Sequence, residues 1–214
     1  MKKDIIKSIE EYMEKNGDSL ELKIKNIVED FTIRKRKKTE EDFKMAFIPL
    51  LEGIANDVGF NLEPMYEKYV KSGRIDCLYN CLDLEYKVPG ALDSVNSYPT
   101  RKSINEGYID EVQRQIRGYS KTEKINIDSI LGIIFDGRYF IYVHYLSTDW
   151  YISEPEEVNK YSIEKFLKRI FSLQIDNKAV TIANLIKDFG FRSHLADNTV
   201  KVLYKALDNA VGTN

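Results

Sequence analysis

Two carboxylates and one amine occur within a short segment of the sequence. Gly73-Arg74-Ile75-Asp76 is followed, after eight residues, by Glu85-Tyr86-Lys87. The pattern predicts two short strands joined by a turn near residues 79–80. On the second strand, side-chain alternation puts Glu85 and Lys87 on one face, and a hairpin then brings Asp76 beside Glu85. Adjacent carboxylates repel unless a cation lies between them, and their hard oxygen atoms suit Mg²⁺. With Lys87 to orient a water molecule or offset charge on a phosphate, these residues predict metal-assisted hydrolysis of a phosphodiester.

An acidic residue, any residue and a lysine form a common tripeptide in a chain of which 31% is charged. The pattern occurs at Glu21-Leu22-Lys23, Glu85-Tyr86-Lys87 and Asp176-Asn177-Lys178. Only the second copy ends an apolar strand, with an aspartate on the strand before it and a Gln-x-x-x-Tyr helix after it. A solvated Glu/Lys pair on an edge strand is the alternative interpretation. The order of the motifs favours a functional site.

The same residues carry a family resemblance. Asp76 with Glu85-Tyr86-Lys87 resembles the PD-(D/E)XK nuclease signature, with Ile75 in place of the proline, and Gln115-Ile116-Arg117-Gly118-Tyr119 is similar to the Gln-x-x-x-Tyr motif of one branch of that superfamily. More narrowly, the chain resembles the N-terminal nuclease domain of bifunctional restriction–modification (endonuclease–methyltransferase) polypeptides. The segments that carry this likeness, within residues 38–208, are 73–76, 85–87, Phe135-Asp136-Gly137 and 181–190.

The resemblance implies a restriction-endonuclease-like α/β core, in which helices flank a mixed β-sheet, with a helical C-terminal appendage. Periodicity alone predicts only an α/β or α+β chain. The implied activity is that of a magnesium-dependent DNA endonuclease, in which Mn²⁺ is expected to substitute for Mg²⁺. Asp76, Glu85 and the backbone carbonyl of Tyr86 are then the metal ligands, and double-stranded DNA is the substrate.

In the resembling family, methyltransferase and target-recognition domains follow the nuclease. We therefore expect this chain to be the front piece of a longer polypeptide. No segment resembles a known reader of bases in the major groove, such as a zinc finger, so we expect the chain alone to cut with little sequence specificity. Two other activities remain open: a repair or recombination exonuclease or resolvase, and an inactive nuclease-like module that only binds nucleic acid or protein.

Three residues on predicted helices complete the candidate site. Gln115 and Tyr119 are four residues apart and share a helix face, where we expect them to contact Lys87, a substrate phosphate or bound water. In the resembling family a glutamate on the first core helix often joins the site. Glu40 falls near the apolar stripe of its helix and Glu41 points away, which favours Glu40. The alternatives are an ordinary half-buried helix for the first pair, and favourable helix-dipole interactions for the two glutamates.

Contacts to a DNA backbone must come from local groups of cations, because the net charge of −2 argues against binding through overall charge. One group is the block Arg34-Lys35-Arg36-Lys37-Lys38. Another is Arg114 and Arg117, which share a stripe on the helix that carries Gln115. We expect both groups to contact phosphates. A solvated loop is the alternative for the block.

Composition indicates a globular protein without a membrane segment. The chain has 214 residues, 43% of them hydrophobic, and no apolar run approaches 18 residues. Its start is amphipathic rather than typical of a signal peptide, so we expect a cytoplasmic location. Cys77 and Cys81 flank the predicted turn, and reduced thiols are favoured over a cross-strand disulfide.

The predicted organisation is a nuclease core with N-terminal helices at residues 1–155 and a helical cap or connector at 156–214. Helices are expected at 3–15 and 20–31 with a break at Asn16-Gly17-Asp18, and another begins at Thr39 with the apolar stripe Phe43, Phe47, Leu50 and Ile54. Strands are expected at 62–70, 74–78 and 82–88, then a helix at 104–120. A hairpin at 130–145 is expected to turn at Asp136-Gly137 in a type I′ turn. The remaining helices are expected at 161–173, 180–188 and 194–210.

Overall fold

The computed structural model describes residues 2–33, 39–60, 62, 64–70, 73–93 and 101–175. In these ranges the helices are α1 (Lys2–Ile33), α2 (Glu40–Asp57), α3 (Arg101–Glu123) and α4 (Lys160–Ile175). The strands are β1 (Met65–Val70), β2 (Gly73–Tyr79), β3 (Leu82–Tyr86), β4 (Leu131–Phe135), β5 (Tyr139–Leu146), β6 (Asp149–Ile152) and β7 (Glu156–Glu157). The expected mixed α/β class is confirmed. The helices predicted at 180–188 and 194–210 lie outside the described residues.

The strands form one mixed sheet in the order β1-β2-β3-β4-β5-β6, and β7 pairs with β5. β3 and β4 run parallel, from Leu82↔Leu131 to Tyr86↔Phe135, and all other neighbours are antiparallel. A parallel pair needs a crossover connection, which α3 provides between β3 and β4. The hairpin that carries the candidate site therefore lies inside the sheet, beneath a helix.

Aromatic rings fill one face of the sheet, where α2 and α4 pack. The ring centre of Phe135 lies 4.7 Å from that of Phe47 on α2 and 6.0 Å from that of Phe166 on α4. Tyr86 joins this layer, with its ring 6.1 Å from Phe47. Because side chains alternate along β3, anchoring Tyr86 here directs Glu85 to the opposite face, as the sequence predicted.

On the opposite face, α3 packs directly against the backbone of β4. A Cβ atom at Gly132 would lie 2.3 Å from Val112 Cγ1 and 3.0 Å from Ile116 Cδ1. The buried side chains around this contact are Ile75, Leu78, Leu92, Tyr119, Ile130, Ile134, Ile141 and Val143. The absence of a side chain at Gly132 thus fixes how closely α3 approaches the sheet.

A single helix, α1, passes through Asn16-Gly17-Asp18, so the break predicted there is wrong. One buried stripe continues across it, formed by Ile9, Met13, Leu20, Ile24 and Val28. Gly17 lies against Lys160, since a Cβ atom would be 2.7 Å from Lys160 Cε, and Glu21 Oε2 accepts a hydrogen bond from Lys160 N at 2.8 Å. Packing on α4 outweighs the cost of about 1 kcal/mol for a helical glycine. Although α1 has 32 residues, neither it nor another described helix has the apolar stretch that crossing a bilayer requires.

The start of α2 is the capping box predicted at Thr39. Thr39 N donates to Asp42 Oδ2 at 2.7 Å, and Thr39 Oγ1 accepts from Asp42 N at 3.3 Å. The buried stripe consists of Phe43, Phe47, Leu51 and Ile54. Leu51 is buried in place of the predicted Leu50, because residues 43, 47 and 51 are each four positions apart and lie close together on the helix surface.

The loop between β4 and β5 is not the predicted type I′ turn. Four residues, 136–139, lie between the paired residues Phe135 and Phe140, and only Gly137 among them has a positive φ, of 82°. A type I′ turn needs positive φ at both central residues. Instead, the buried carboxylate of Asp136 accepts hydrogen bonds from Leu92 N, Arg138 N and Tyr139 N. These three bonds shape the loop.

The helix expected at 161–173 is present as α4, and it belongs to the core. Its side chains Ile163, Phe166, Leu167, Ile170 and Phe171 are buried, and Phe166 packs in the aromatic layer. A cap or connector was expected at 156–214, and the part of that range that forms α4 packs against the aromatic layer of the sheet. Residues 176–214 lie outside the described part of the chain.

Gly132→Ala should lower the free energy of unfolding by about 1–3 kcal/mol, because the added methyl group overlaps Val112 and pushes α3 from the sheet. The matched control is Gly53→Ala on α2, where nothing lies within 4 Å of the new Cβ. That variant should gain up to about 1 kcal/mol from helix propensity. Urea unfolding of both variants measures the difference, and equal stabilities would contradict the close packing.

Candidate functional site

The hairpin of β2 and β3 places Asp76 next to Glu85, as predicted, at the point where the two strands separate. Their pairing runs from Tyr79↔Leu82 to Cys77↔Leu84. One residue further along, Asp76 Oδ2 accepts a hydrogen bond from Tyr86 N at 3.2 Å. A side-chain oxygen thus replaces a strand carbonyl, and it holds the carboxylate beside the residue that follows Glu85. Cys77 and Cys81 are buried free thiols, as expected.

Lys87 lies at the centre of the site and contacts three carboxylates. Its Nζ atom is 2.7 Å from Glu85 Oε1, 3.4 Å from Glu111 Oε2 and 3.8 Å from Glu40 Oε2. Its backbone N–H donates to Phe135 O at 2.9 Å, which continues the pairing of β3 with β4. Glu85 and Lys87 are each 4% exposed, and β3 lies between β2 and β4. They are therefore not a solvated pair on an edge strand.

Gln115 bridges the gap between the separating strands. Its Nε2 atom donates to Arg74 O on β2 at 2.7 Å and to Glu85 Oε2 on β3 at 3.1 Å. The side chain is buried, and α3 carries it over the hairpin. Gln115 therefore fixes the direction of the Glu85 carboxylate and joins α3 to both strands.

Glu40, rather than Glu41, faces the site. Glu40 Oε2 reaches toward Lys87, whereas Glu41 Oε2 is 3.3 Å from Lys44 Nζ. The helical periodicity that favoured Glu40 predicted this arrangement. Because Glu40 is the first residue of α2, its carboxylate also lies at the favourable end of the helix dipole.

Tyr119 is not brought to the acidic cluster. Its hydroxyl donates to Asn80 O at 3.2 Å, at the turn of the hairpin, so the predicted contact with Lys87 is absent. Arg114 and Arg117 lie on the exposed side of α3, and the guanidinium of Arg117 is 5.3 Å from the ring centre of Trp150. The basic block at residues 34–38 lies outside the described residues.

Two further residues of α3 contact Lys87 and were missed by the sequence analysis. Glu111 forms the ion pair given above, and the ring centre of Tyr108 lies 4.9 Å from Lys87 Nζ. Glu111 is four residues before Gln115, and Tyr108 is three residues before Glu111. Their spacing puts them on the face already assigned to Gln115, so extending that face toward the helix start would have found both.

Burial and like charges raise the pKa values of the acids in this cluster. Burial, followed by the charge of Asp76, raises the pKa of Glu85 to about 7, against the opposing effect of Lys87. Burial also raises the pKa of Asp76, against the hydrogen bond from Tyr86 N, and that of Glu40, against the charge of Lys87. Burial lowers the pKa of Lys87, but Glu85, Glu40 and Glu111 more than offset it. Lys87 therefore remains an ammonium at neutral pH.

Asp83 lies behind the cluster, on the same face of β3 as Glu85. It is fully buried, and neither carboxyl oxygen has a hydrogen-bond partner among the described residues. Burial, reinforced by Glu85 and Asp76, raises its pKa well above the ordinary value. An isolated buried carboxyl is accommodated in its neutral form. Burial therefore favours the neutral form of Asp83.

Asp76 and Glu85 fit a divalent cation. Within the described residues, no three His, Cys, Asp or Glu side chains are arranged as a metal site. However, Mg²⁺ is commonly held by one or two carboxylates, with water and phosphate oxygens as its other ligands. Two neighbouring carboxyls with raised pKa values form a donor set whose repulsion a cation would relieve. The carbonyl of Tyr86, between Glu85 and Lys87 in sequence, is a further candidate ligand.

Comparison with protein-family models, with curated proteins and with solved structures finds no match for this chain. The fold and the side chains described above are therefore the basis for inferring its function.

Glu85→Gln should change how stability depends on pH. An unfolded chain ionises glutamate near a pKa of about 4.3, whereas the folded protein ionises Glu85 at about 7. Protonated Glu85 therefore stabilises the fold fully at pH values below its pKa in the unfolded chain. This stabilisation is lost as the pH rises through its pKa in the folded protein. We expect the unfolding free energy of the wild type, relative to the variant, to fall by about 2–3 kcal/mol between about pH 4.5 and pH 8.

Urea unfolding across this pH range measures the effect. Ile134→Val serves as the control, since it weakens the core without removing an ionisable group, and its difference from the wild type should not vary with pH. A difference between wild type and Glu85→Gln that stays constant with pH would contradict the raised pKa.

Proposed function

We propose that this protein is a metal-dependent DNA endonuclease that hydrolyses phosphodiester bonds at Asp76, Glu85 and Lys87. One observation carries the proposal: two acidic side chains and an ammonium converge, largely buried, where β2 and β3 separate. Asp76 Oδ2 lies 3.2 Å from Tyr86 N, and Glu85 Oε1 lies 2.7 Å from Lys87 Nζ. The buried pair of Glu85 and Lys87 would gain no stability from the half-buried carboxylate of Asp76 beside it, because a second negative charge adds repulsion.

Asp76 and Glu85 are the residues that would hold the metal, with the Tyr86 carbonyl beside them. A bound Mg²⁺ or Mn²⁺ ion would supply Lewis-acid chemistry, by polarising a phosphate oxygen and making water more acidic. The protein orients the ligands: Gln115 Nε2 holds Glu85 Oε2 at 3.1 Å, and Tyr86 N holds Asp76 Oδ2. These hydrogen bonds restrict the rotation of both carboxylates before any ligand binds.

Lys87 acts as a charged hydrogen-bond donor rather than as a base. Three carboxylates keep its pKa raised, so at neutral pH it has no free electron pair to accept a proton. An ammonium has three donors, of which Glu85 and Glu111 accept two, so the third can bind a phosphate oxygen or the attacking water molecule. Its buried position strengthens these interactions, because little water screens the charge.

The proposed substrate is double-stranded DNA. Arg114 and Arg117 lie on the exposed side of the helix that carries Gln115, where they can contact phosphates while the buried side of α3 holds the site. The proposal includes the block at residues 34–38 as a second phosphate contact. We also propose that methyltransferase and target-recognition domains follow this chain in a longer polypeptide. The proposed location of the protein is the cytoplasm.

Asp76→Ala and Lys87→Ala should each reduce cleavage of covalently closed plasmid DNA by at least about 100-fold, since each removes one of the few charges that act on the phosphate. Wild-type protein should nick the plasmid with Mg²⁺ or Mn²⁺ and leave it intact with EDTA. Agarose-gel assays at matched protein concentration measure this. The control is Lys25→Ala, which breaks an exposed ion pair with Glu21 on α1 and should retain activity.

Undiminished cleavage by Lys87→Ala would refute the assignment of this residue. Degradation of linear DNA without nicking of closed circles would favour an exonuclease. DNA binding without any cleavage under all metal conditions would favour a binding module. Fragments that map to one short sequence would show that a base-reading element lies within this chain.

Replacing Arg114 and Arg117 by glutamine should weaken DNA binding equally for different sequences. A plot of log affinity against log salt concentration has a negative slope, and each lost phosphate contact should make that slope less steep by about 0.9. Neutralising Arg34 to Lys38 should flatten the slope further. Fluorescence anisotropy on an Asp76→Ala background measures the slopes, with Lys25→Gln as the control, and an unchanged slope would mean that the substituted residues do not contact phosphate.

A further inference from the structure

Asp76 lies where β2 loses its regular pairing on both sides. The pairing of β1 with β2 includes Tyr66↔Cys77, then steps over Glu67 and Asp76 and resumes at Lys68↔Ile75. On the other side, the pairing of β2 with β3 ends at Cys77↔Leu84. The backbone around Asp76 is therefore not held by a continuous ladder, and other groups must fix its position.

Glu67, the residue of β1 that the ladder steps over, has an unusual backbone conformation. Its φ is +56°, in the left-handed region. For a residue other than glycine this region costs about 1–2 kcal/mol, so surrounding contacts must maintain it. The side chain of Glu67 makes those contacts.

Two cations hold the two oxygens of Glu67. Lys44 Nζ is 2.7 Å from Glu67 Oε1, and Arg74 Nη1 is 2.6 Å from Glu67 Oε2. The side chain of Lys44 is only 4% exposed, whereas that of Arg74 is 52% exposed. The contact with Lys44 is therefore the shielded one, and it ties α2 to the irregular part of β1.

We propose that Lys44 and Glu67 are positioning residues, which hold the backbone of β1 and β2 so that Asp76 meets Glu85. Lys44 is four residues after Glu40, so both side chains lie on one face of α2. Glu40 on this face contacts Lys87, and Lys44 contacts Glu67. The catalytic meaning of this role rests on the proposed function; the role itself concerns geometry alone.

The hydrogen bond from Tyr86 N to Asp76 Oδ2 provides a direct readout that needs no metal or DNA. In metal-free protein, Lys44→Met and Glu67→Gln should each lower the protection of the Tyr86 amide against hydrogen exchange by about 10-fold or more, measured by NMR. The Lys87 amide, which donates to Phe135 O at 2.9 Å, is the internal control. Its protection should change by less than about threefold. Asp76→Ala removes the acceptor of the Tyr86 N–H, so this variant shows how much protection is lost when the hydrogen bond is absent.

Lys44→Arg should restore much of the protection, because it returns a cation to Glu67. Lys25→Met, which removes a different ion pair, should leave the Tyr86 amide unchanged. If Lys44→Met fails to fold, Glu67→Gln carries the test, since the Glu67 side chain is 35% exposed. Unchanged protection of Tyr86, or equal loss at Tyr86 and Lys87, would overturn the proposal, because either result means that Asp76 is not specifically held.

Calorimetric titration with Mn²⁺ separates this inference from the proposed function. Weaker Mn²⁺ binding by Lys44→Met and Glu67→Gln, by about fivefold or more, would extend the positioning role to the metal site. Wild-type protein that binds no Mn²⁺ while the Tyr86 amide still responds to both variants would support the positioning role and contradict the nuclease.

Discussion

The site depends on the repulsion between two neighbouring carboxylates, the half-buried Asp76 and the buried Glu85. Burial alone already disfavours the ionised forms. Lys87 offsets part of the cost from one side, and the Tyr86 N–H and the Gln115 amide offset more. A divalent cation would relieve the repulsion between the two carboxylates that these groups leave. This is the arrangement from which the metal site is proposed.

The fold brings charged groups to this place from both layers. On one face, the aromatic core anchors Tyr86 and seats α2, whose first turn supplies Glu40. On the other, the close contact at Gly132 seats α3, which supplies Glu111 and Gln115. Lys87 follows the last residue of β3, where both helices can reach it. The parallel pairing of β3 with β4 makes this possible, because its crossover is the helix that covers the hairpin.

Local periodicity predicted the parts of the site that lie on one element: the shared face of Glu85 and Lys87, and Glu40 rather than Glu41. It failed where the position of a helix along the sheet decides the contact. Tyr119 shares a face with Gln115 but lies about 6 Å further along the axis, which takes it to the turn of the hairpin. Lys44 and the continuous α1 at Gly17 depend on packing between distant segments, which no local pattern records.

The position of a bound metal ion tests most directly whether Asp76 and Glu85 form a metal site. Crystals soaked in Mn²⁺ give an anomalous difference peak wherever the ion is ordered. We expect one peak between the carboxylates of Asp76 and Glu85, with metal–oxygen distances of about 2.0–2.3 Å, and its loss in Asp76→Asn crystals soaked in the same way. A saturating soak that leaves this position without a peak, or a peak that persists in the variant, would contradict the claim that these residues form a metal-dependent catalytic centre.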